Sequence, residues 1–164
     1  MLQVKEDIAH YIPTKKTATS KSWNDMGRVY AEIEVIPTED LILSRKGFIE
    51  ESAIRRAVVR FMVDSGADYL CINEHVKNQL ELPVLEARMF ELADGTEQRF
   101  EIVGPVDIRF GNREATCRAV VLPGDTEPLL GSIPMEDMDV VIHPRTQILS
   151  VNPDNPFTAK HYLK

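Results

Sequence analysis

Residues 57–72 read Ala57-Val-Val-Arg-Phe-Met-Val-Asp64-Ser-Gly-Ala-Asp68-Tyr-Leu-Cys-Ile72. The dense apolar run from Ala57 to Val63 suits a strand buried on both faces, and a carboxylate follows it at once. Burying a charge without a partner costs several kcal/mol, so Asp64 must be compensated where it stands. The next residues supply the means. Ser65 offers a hydroxyl to neighbouring backbone, Gly66 can turn tightly and expose its amide, and Ala67 leaves room for close approach. Tyr69-Leu-Cys-Ile72 then resumes an apolar strand. A loop of this composition between two strands holds a carboxylate rigidly.

Outward from this loop the chain keeps the period-two alternation of half-buried strands. Upstream, Val29, Ala31, Ile33 and Val35 share one face of a strand over Arg28 to Ile36. Between that strand and Ala57, residues Pro37 to Ala53 carry Leu41-Ile-Leu43 among acidic side chains; they read equally well as an extra strand or as an exposed loop. Downstream, Asn73 is placed to cap a short helix presenting Val76 and Leu80, which Pro83 stops. Val84 to Leu92 and Gln98 to Val103 flank Ala93-Asp-Gly-Thr96, and an Asp-Gly pair between strands signals a hairpin because its turn needs positive φ. A second hairpin joins Val106, Ile108 and Phe110, through Gly111-Asn112, to Ala115, Cys117, Ala119 and Val121. Leu129-Leu-Gly131 is a buried strand end, Pro134 to Met138 a short helix with proline in its first turn, and Val140 to Ile142 with Ile148 to Val151 close the domain. Some eight short strands with frequent turns predict an all-β barrel or sandwich.

Length and composition bound the function. The 164 residues suit one compact domain with an appendage. Residues 1–26, a short helix over Leu2 to Tyr11 followed by the polar stretch Thr14 to Ser22, read as an N-terminal extension and linker. Residues 27–153 form the domain and 154–164 a tail. With 43% apolar and 27% charged residues the chain is globular in proportion. No apolar stretch approaches the roughly 18 residues of a bilayer span, and the first 20 residues lack a continuous apolar leader, so a soluble cytoplasmic protein without a membrane partner is expected. The net charge of −7 and the absence of a basic stripe argue against nucleic acid; Lys15, Lys16 and Lys21 read as a solvated tail. Cys71 and Cys117 stand alone and read as reduced core thiols. No histidine or cysteine set has metal-ligand spacing and no glycine-rich phosphate loop occurs, so neither metal nor cofactor is expected. His10, His75, His143 and His161 are scattered, and no Gly-x-Ser-x-Gly elbow surrounds Ser65. Met135 and Met138 read as core.

Alone, Asp-Ser-Gly is a weak signal, since Asp-Ser/Thr-Gly arises by chance in about one chain in ten of this length. Its simplest reading is a plain β-turn. A linear phosphorylation motif fits worse, because apolar strands flank the triplet and no second serine follows. Order and spacing raise the signal: an apolar strand, Asp64-Ser-Gly-Ala-Asp68, a hairpin tipped by Ala93-Asp-Gly-Thr96, then Leu129-Leu-Gly131 before a short helix. In this the sequence, over about residues 27–153, resembles the retropepsin-like aspartic proteases. Serine at position 65, where threonine is commoner, keeps the hydroxyl. The stretch Pro37 to Ala53 exceeds the tight turn of minimal members, and residues 1–26 have no counterpart there.

The resemblance implies a closed acid-protease-like β-barrel with one or two short helices, a single lobe that dimerises. It implies Asp64, Ser65 and Gly66 as the catalytic loop. Ser65 would lock the paired loops across the dimer and Gly66 would give its amide to the carboxylates. Ala67 and Asp68 would meet the backbone of an extended peptide substrate, and Ala93, Asp94, Gly95 and Thr96 would form the flap. Leu130 and Gly131 would thread closely past the loop. Carboxylate-driven hydrolysis needs one group to take a proton from water and another to give one to the scissile carbonyl. The chain has one Asp-Ser/Thr-Gly, so a homodimer must bring two copies together. Like charges so placed cannot both ionise, so the pair shares a proton and activity peaks on the acid side of neutrality. A silent dimer of the same fold, binding or scaffolding peptides without turnover, is the competing expectation.

Overall fold

A computed structural model describes residues 27–163. The helix and linker expected within residues 1–26 lie outside the described residues.

Strand β1 (Val29–Pro37) pairs antiparallel with β2 (Ala57–Val63), and the alternate residues Val29, Ala31, Ile33 and Val35 enter the core. The pattern breaks at Tyr30 and Ile36, which are also fully buried. Between these strands the chain is neither strand nor open loop. It forms helix α1 (Thr38–Arg45) and a short 3₁₀ turn, Glu51–Ala53. Glu39 and Asp40 occupy the first turn of α1 and Arg45 its last, a charge order that matches the helix dipole. Three consecutive apolar residues carry no period, which is why Leu41-Ile-Leu43 could not decide between states.

An ion pair closes this segment on itself, and its arginine ties the segment to Leu80. The Arg55 guanidinium donates to both Asp40 oxygens at 2.9 and 2.8 Å, its backbone amide donates at 2.9 Å, and its remaining arm reaches the Leu80 carbonyl at 2.8 Å. Asp40 is buried, and the bonds from Arg55 outweigh burial and hold its carboxyl below the ordinary 3.8. A folded value below the unfolded one means stability that is complete above about pH 4 and lost as acid protonates the group. Asp40→Asn is therefore expected to cost about 2–3 kcal/mol at pH 7, less than a fully buried pair because Arg55 is partly solvated, with the difference from the native chain closing in acid, as the pH falls below the ordinary carboxylate range. Urea unfolding at both pH values measures this.

Strand β3 (Leu70–Asn73) leads into helix α2 (Glu74–Leu80). Asn73 caps that helix by accepting from the Val76 amide at 3.0 Å, and Val76 and Leu80 are its buried residues. Strand β4 (Val84–Glu91) turns back into β5 (Glu97–Phe110), a single 14-residue strand where the sequence suggested two. A register shift between Val103 and Val106 lets its outer half serve the hairpin and its inner half the barrel. Strand β6 (Arg113–Leu122) pairs with β5, the short β7 (Leu129–Leu130) lies between β2 and β3, and helix α3 (Ser132–Met138) follows. The order β1-β2-β7-β3-β6-β5 is closed by pairing of β1 with β5. The fold is thus all-β, a six-stranded barrel of acid-protease type, with α1 as the helix beyond the one or two expected. Strands β8 (Val140–His143) and β9 (Ile148–Val151) form a separate two-stranded ribbon, making nine strands among the described residues. The main core runs through the barrel, with Phe61, Leu70, Ile72, Ile108 and Leu130 fully buried, and Tyr30 with Met62 and Ile148 forms a second, smaller cluster. No helix among the described residues is long and apolar enough to cross a membrane.

Candidate active site

Asp64 stands where β2 leaves the core. Its amide donates to the Leu130 carbonyl at 3.0 Å, and its own carbonyl accepts from Ala67 at 3.1 Å, closing a tight turn. The side chain emerges from the barrel half-buried, with Ser65 and Gly66 exposed beside it. The Gly66 amide donates to Asp64 Oδ1 at 2.9 Å, which fixes the direction of the carboxylate from within its own loop.

The loop is braced from below by the segment after β7. The Ser132 amide donates to the Ala67 carbonyl at 2.8 Å, that of Ile133 to Asp68 at 3.0 Å, and that of Gly131 to Tyr69 at 3.1 Å. Gly131 has an ordinary φ of −88°, so its requirement is closeness. A Cβ there would lie 2.6 Å from the Asp68 carbonyl carbon and the Tyr69 carbonyl oxygen. Leu130, fully buried, pairs with Val63 on one side and Leu70 on the other, so both ends of the loop rest on one residue. Asp68 projects into solvent.

The β4–β5 hairpin exposes most of β4, including Met89, as a ribbon must when it stands off the barrel. At its tip Asp94 Oδ1 accepts from the Thr96 amide at 3.0 Å and hydroxyl at 2.6 Å, bonds that hold its carboxyl below the usual range. Gly95 takes φ +85°, the left-handed conformation the turn demands. Ala93 completes the tip and is exposed.

The structure therefore joins Asp64, Ser65, Gly66, Ala67, Asp68, Leu130 and Gly131 in one braced unit and gathers Ala93 to Thr96 at a separate ribbon tip. Sequence reasoning missed an aromatic link between the two. Tyr69 meets Phe90 edge-on with centroids 5.7 Å apart, and Phe90 meets Phe100 at 5.8 Å. Phe90 lies opposite Gln98 and so diagonal to Phe100, a relation readable from hairpin register once the turn is placed. Cys71 also feels Asp64, which a plain core thiol would not: burial and then the Asp64 charge push it up to about 11.

A family model of gag-polyprotein aspartyl proteases matches residues 51–136, just over half of the chain, from the 3₁₀ turn through the loop, hairpin and Gly131 into α3. This chain belongs to the retropepsin-like aspartyl protease family. No curated protein matches it. Membership assigns an aspartic protease type of function to the retropepsin-like barrel, and the matched segment contains every site residue named from the sequence. Among the described residues no cluster of three metal-binding side chains occurs.

Proposed function

We propose that this retropepsin-like chain is an endopeptidase that works as a homodimer, with Asp64 and the partner's Asp64 sharing one proton across a two-fold axis. The observation that carries the reading is the Asp64 loop itself, in which one carboxylate, oriented by the Gly66 amide, is presented at an exposed surface without a second acid of the same kind in the chain. A lone carboxylate cannot both accept and donate the protons of amide hydrolysis.

In the dimer the ionised member takes a proton from a water held between the two carboxyls, and that water attacks the scissile carbonyl. The protonated member gives its proton to the carbonyl oxygen, producing a tetrahedral intermediate with no covalent bond to the enzyme. Ser65, exposed beside the carboxylate, bonds the opposite loop. Asp68 meets the substrate backbone, and the ribbon tip of Ala93 to Thr96 closes over the peptide and excludes water. Like charges at this distance keep one proton between them, so the rate peaks on the acid side of neutrality.

Subunit mixing tests the dyad. Native and Asp64→Asn chains are unfolded together in equal amounts, refolded and assayed on a peptide library. Random pairing leaves about a quarter of the dimers with two native loops, so activity falls to about that fraction of the all-native value. Activity in proportion to the native chain, about one half, would show that each subunit acts alone.

A further inference from the structure

Beside the catalytic loop lies a cavity of about 220 Å³ walled by Tyr69, Ile102, Val120, Cys117, Ile133 and Pro134. Its position follows from the register. Val120 pairs with both Ile102 and Cys71, and paired residues share a sheet face. The cavity floor is therefore on the same face as Cys71, whose thiol feels the Asp64 charge. Its rim is tied to the loop as well, since Ile133 donates its amide to the Asp68 carbonyl at 3.0 Å.

Size decides what fits. An apolar cavity of about 150 Å³ holds one benzene ring, whereas pockets for whole small molecules start near 300 Å³. A volume of about 220 Å³ suits one aromatic or branched side chain. The mouth on the hairpin side is positive. Arg88 and Arg118 both line the cavity and both bond the single carboxylate of Glu86, Arg88 at 3.1 Å and Arg118 at 3.1 Å. Two guanidiniums against one carboxylate leave a net positive charge with unused donors. On the α3 side Asp137 stands near Cys117, whose thiol is raised by burial and then by the Asp137 charge, and His161 approaches Asp137 at 3.6 Å.

We propose that this cavity is a specificity subsite, seating an apolar, preferably aromatic, side chain of a peptide substrate while Arg88 and Arg118 read an acidic residue two positions away on the same face of the extended peptide. The proposal rests on the peptidase reading above.

The test has a cleavage arm and a binding arm. In the first, a randomised peptide library is cut by the native chain and the products are sequenced by mass spectrometry; the expected enrichment is an aromatic residue with Glu or Asp two positions away. In the second, full-length Asp64→Asn protein is titrated with three matched peptides carrying Phe-x-Glu, Ala-x-Glu or Phe-x-Gln. Loss of the ring is expected to weaken binding at least about tenfold, the value of burying a phenylalanine. Loss of the acid is expected to weaken it about threefold, the size of an exposed ion pair. Arg118→Gln shrinks the Glu over Gln preference, Glu86→Gln enlarges it, and Ile133→Trp at the rim removes the Phe over Ala preference. Cleavage without these preferences overturns the subsite and leaves the peptidase. Preferential binding to the Asp64→Asn protein with no cleavage by the native chain overturns the peptidase and leaves the subsite. Equal binding of all three peptides, or preferences that ignore Ile133→Trp and Arg118→Gln, also overturns the subsite.

Discussion

Asp64→Asn is expected to lower peptide cleavage at least about a thousandfold while leaving the fold intact, because in the proposed dyad general acid and general base are removed in one substitution. Asparagine preserves the volume of the side chain, and its carbonyl oxygen can still accept the Gly66 amide that Asp64 Oδ1 accepts at 2.9 Å. The backbone bonds of the loop, from Asp64 to Leu130 and from Ala67 to Asp64, do not involve the carboxylate. Stability is thus expected to change by no more than about 1 kcal/mol, the worth of one hydrogen bond. Initial rates on a peptide library beside thermal melts separate the two effects. Retained cleavage by the folded variant would remove Asp64 from the chemistry, and equal silence of both chains with unchanged peptide binding would make the protein a binding module.

The second large effect is structural and concerns a residue that touches no substrate. Gly131→Ala adds one methyl group where the Asp68 and Tyr69 backbone already lies 2.6 Å away. The obstructing atoms are main chain, held by the Gly131, Ser132 and Ile133 amides, so no rotamer change can relieve the clash. Overpacking of this kind costs about 3 kcal/mol, which lowers the melting temperature by about 10 °C in a domain of this size. Because φ is −88°, backbone strain contributes nothing, and the penalty measures proximity alone. A control is available nearby: at Gly95, where a Cβ meets nothing but φ is +85°, alanine should cost only about 1 kcal/mol. A Gly131→Ala protein with native stability would refute the close passage of β7 beneath the loop.

The site was more legible in the sequence than the insert before it. Asp64 at the end of an apolar run, Asn73 before Val76 and Leu80, and Asp94-Gly95 between alternating strands are each decided by residues within about ten positions of one another. Segment 37–56 was not legible. Its helix α1 is secured by the Asp40–Arg55 pair and by Arg55 reaching the Leu80 carbonyl 25 residues away, and no local period announces such contacts. The aromatic link from Tyr69 to Phe90 and the nearness of Cys71 to Asp64 were hidden for the same reason: both join segments whose juxtaposition depends on strand order.

By itself the sequence determined most of the strands, where the β4–β5 hairpin turns, and that a single carboxylate sits in a tight loop between two strands that enter the core. These follow from side-chain alternation and turn chemistry, which act over a few residues. Only the tertiary structure decided that β1 closes the barrel on β5, that β7 lies between β2 and β3 so tightly that position 131 has no room for a Cβ, and that a cavity with two arginines at its mouth opens beside the loop. Those features are contacts between residues tens of positions apart, fixed by packing one sheet into a closed barrel, and local patterning carries no record of them.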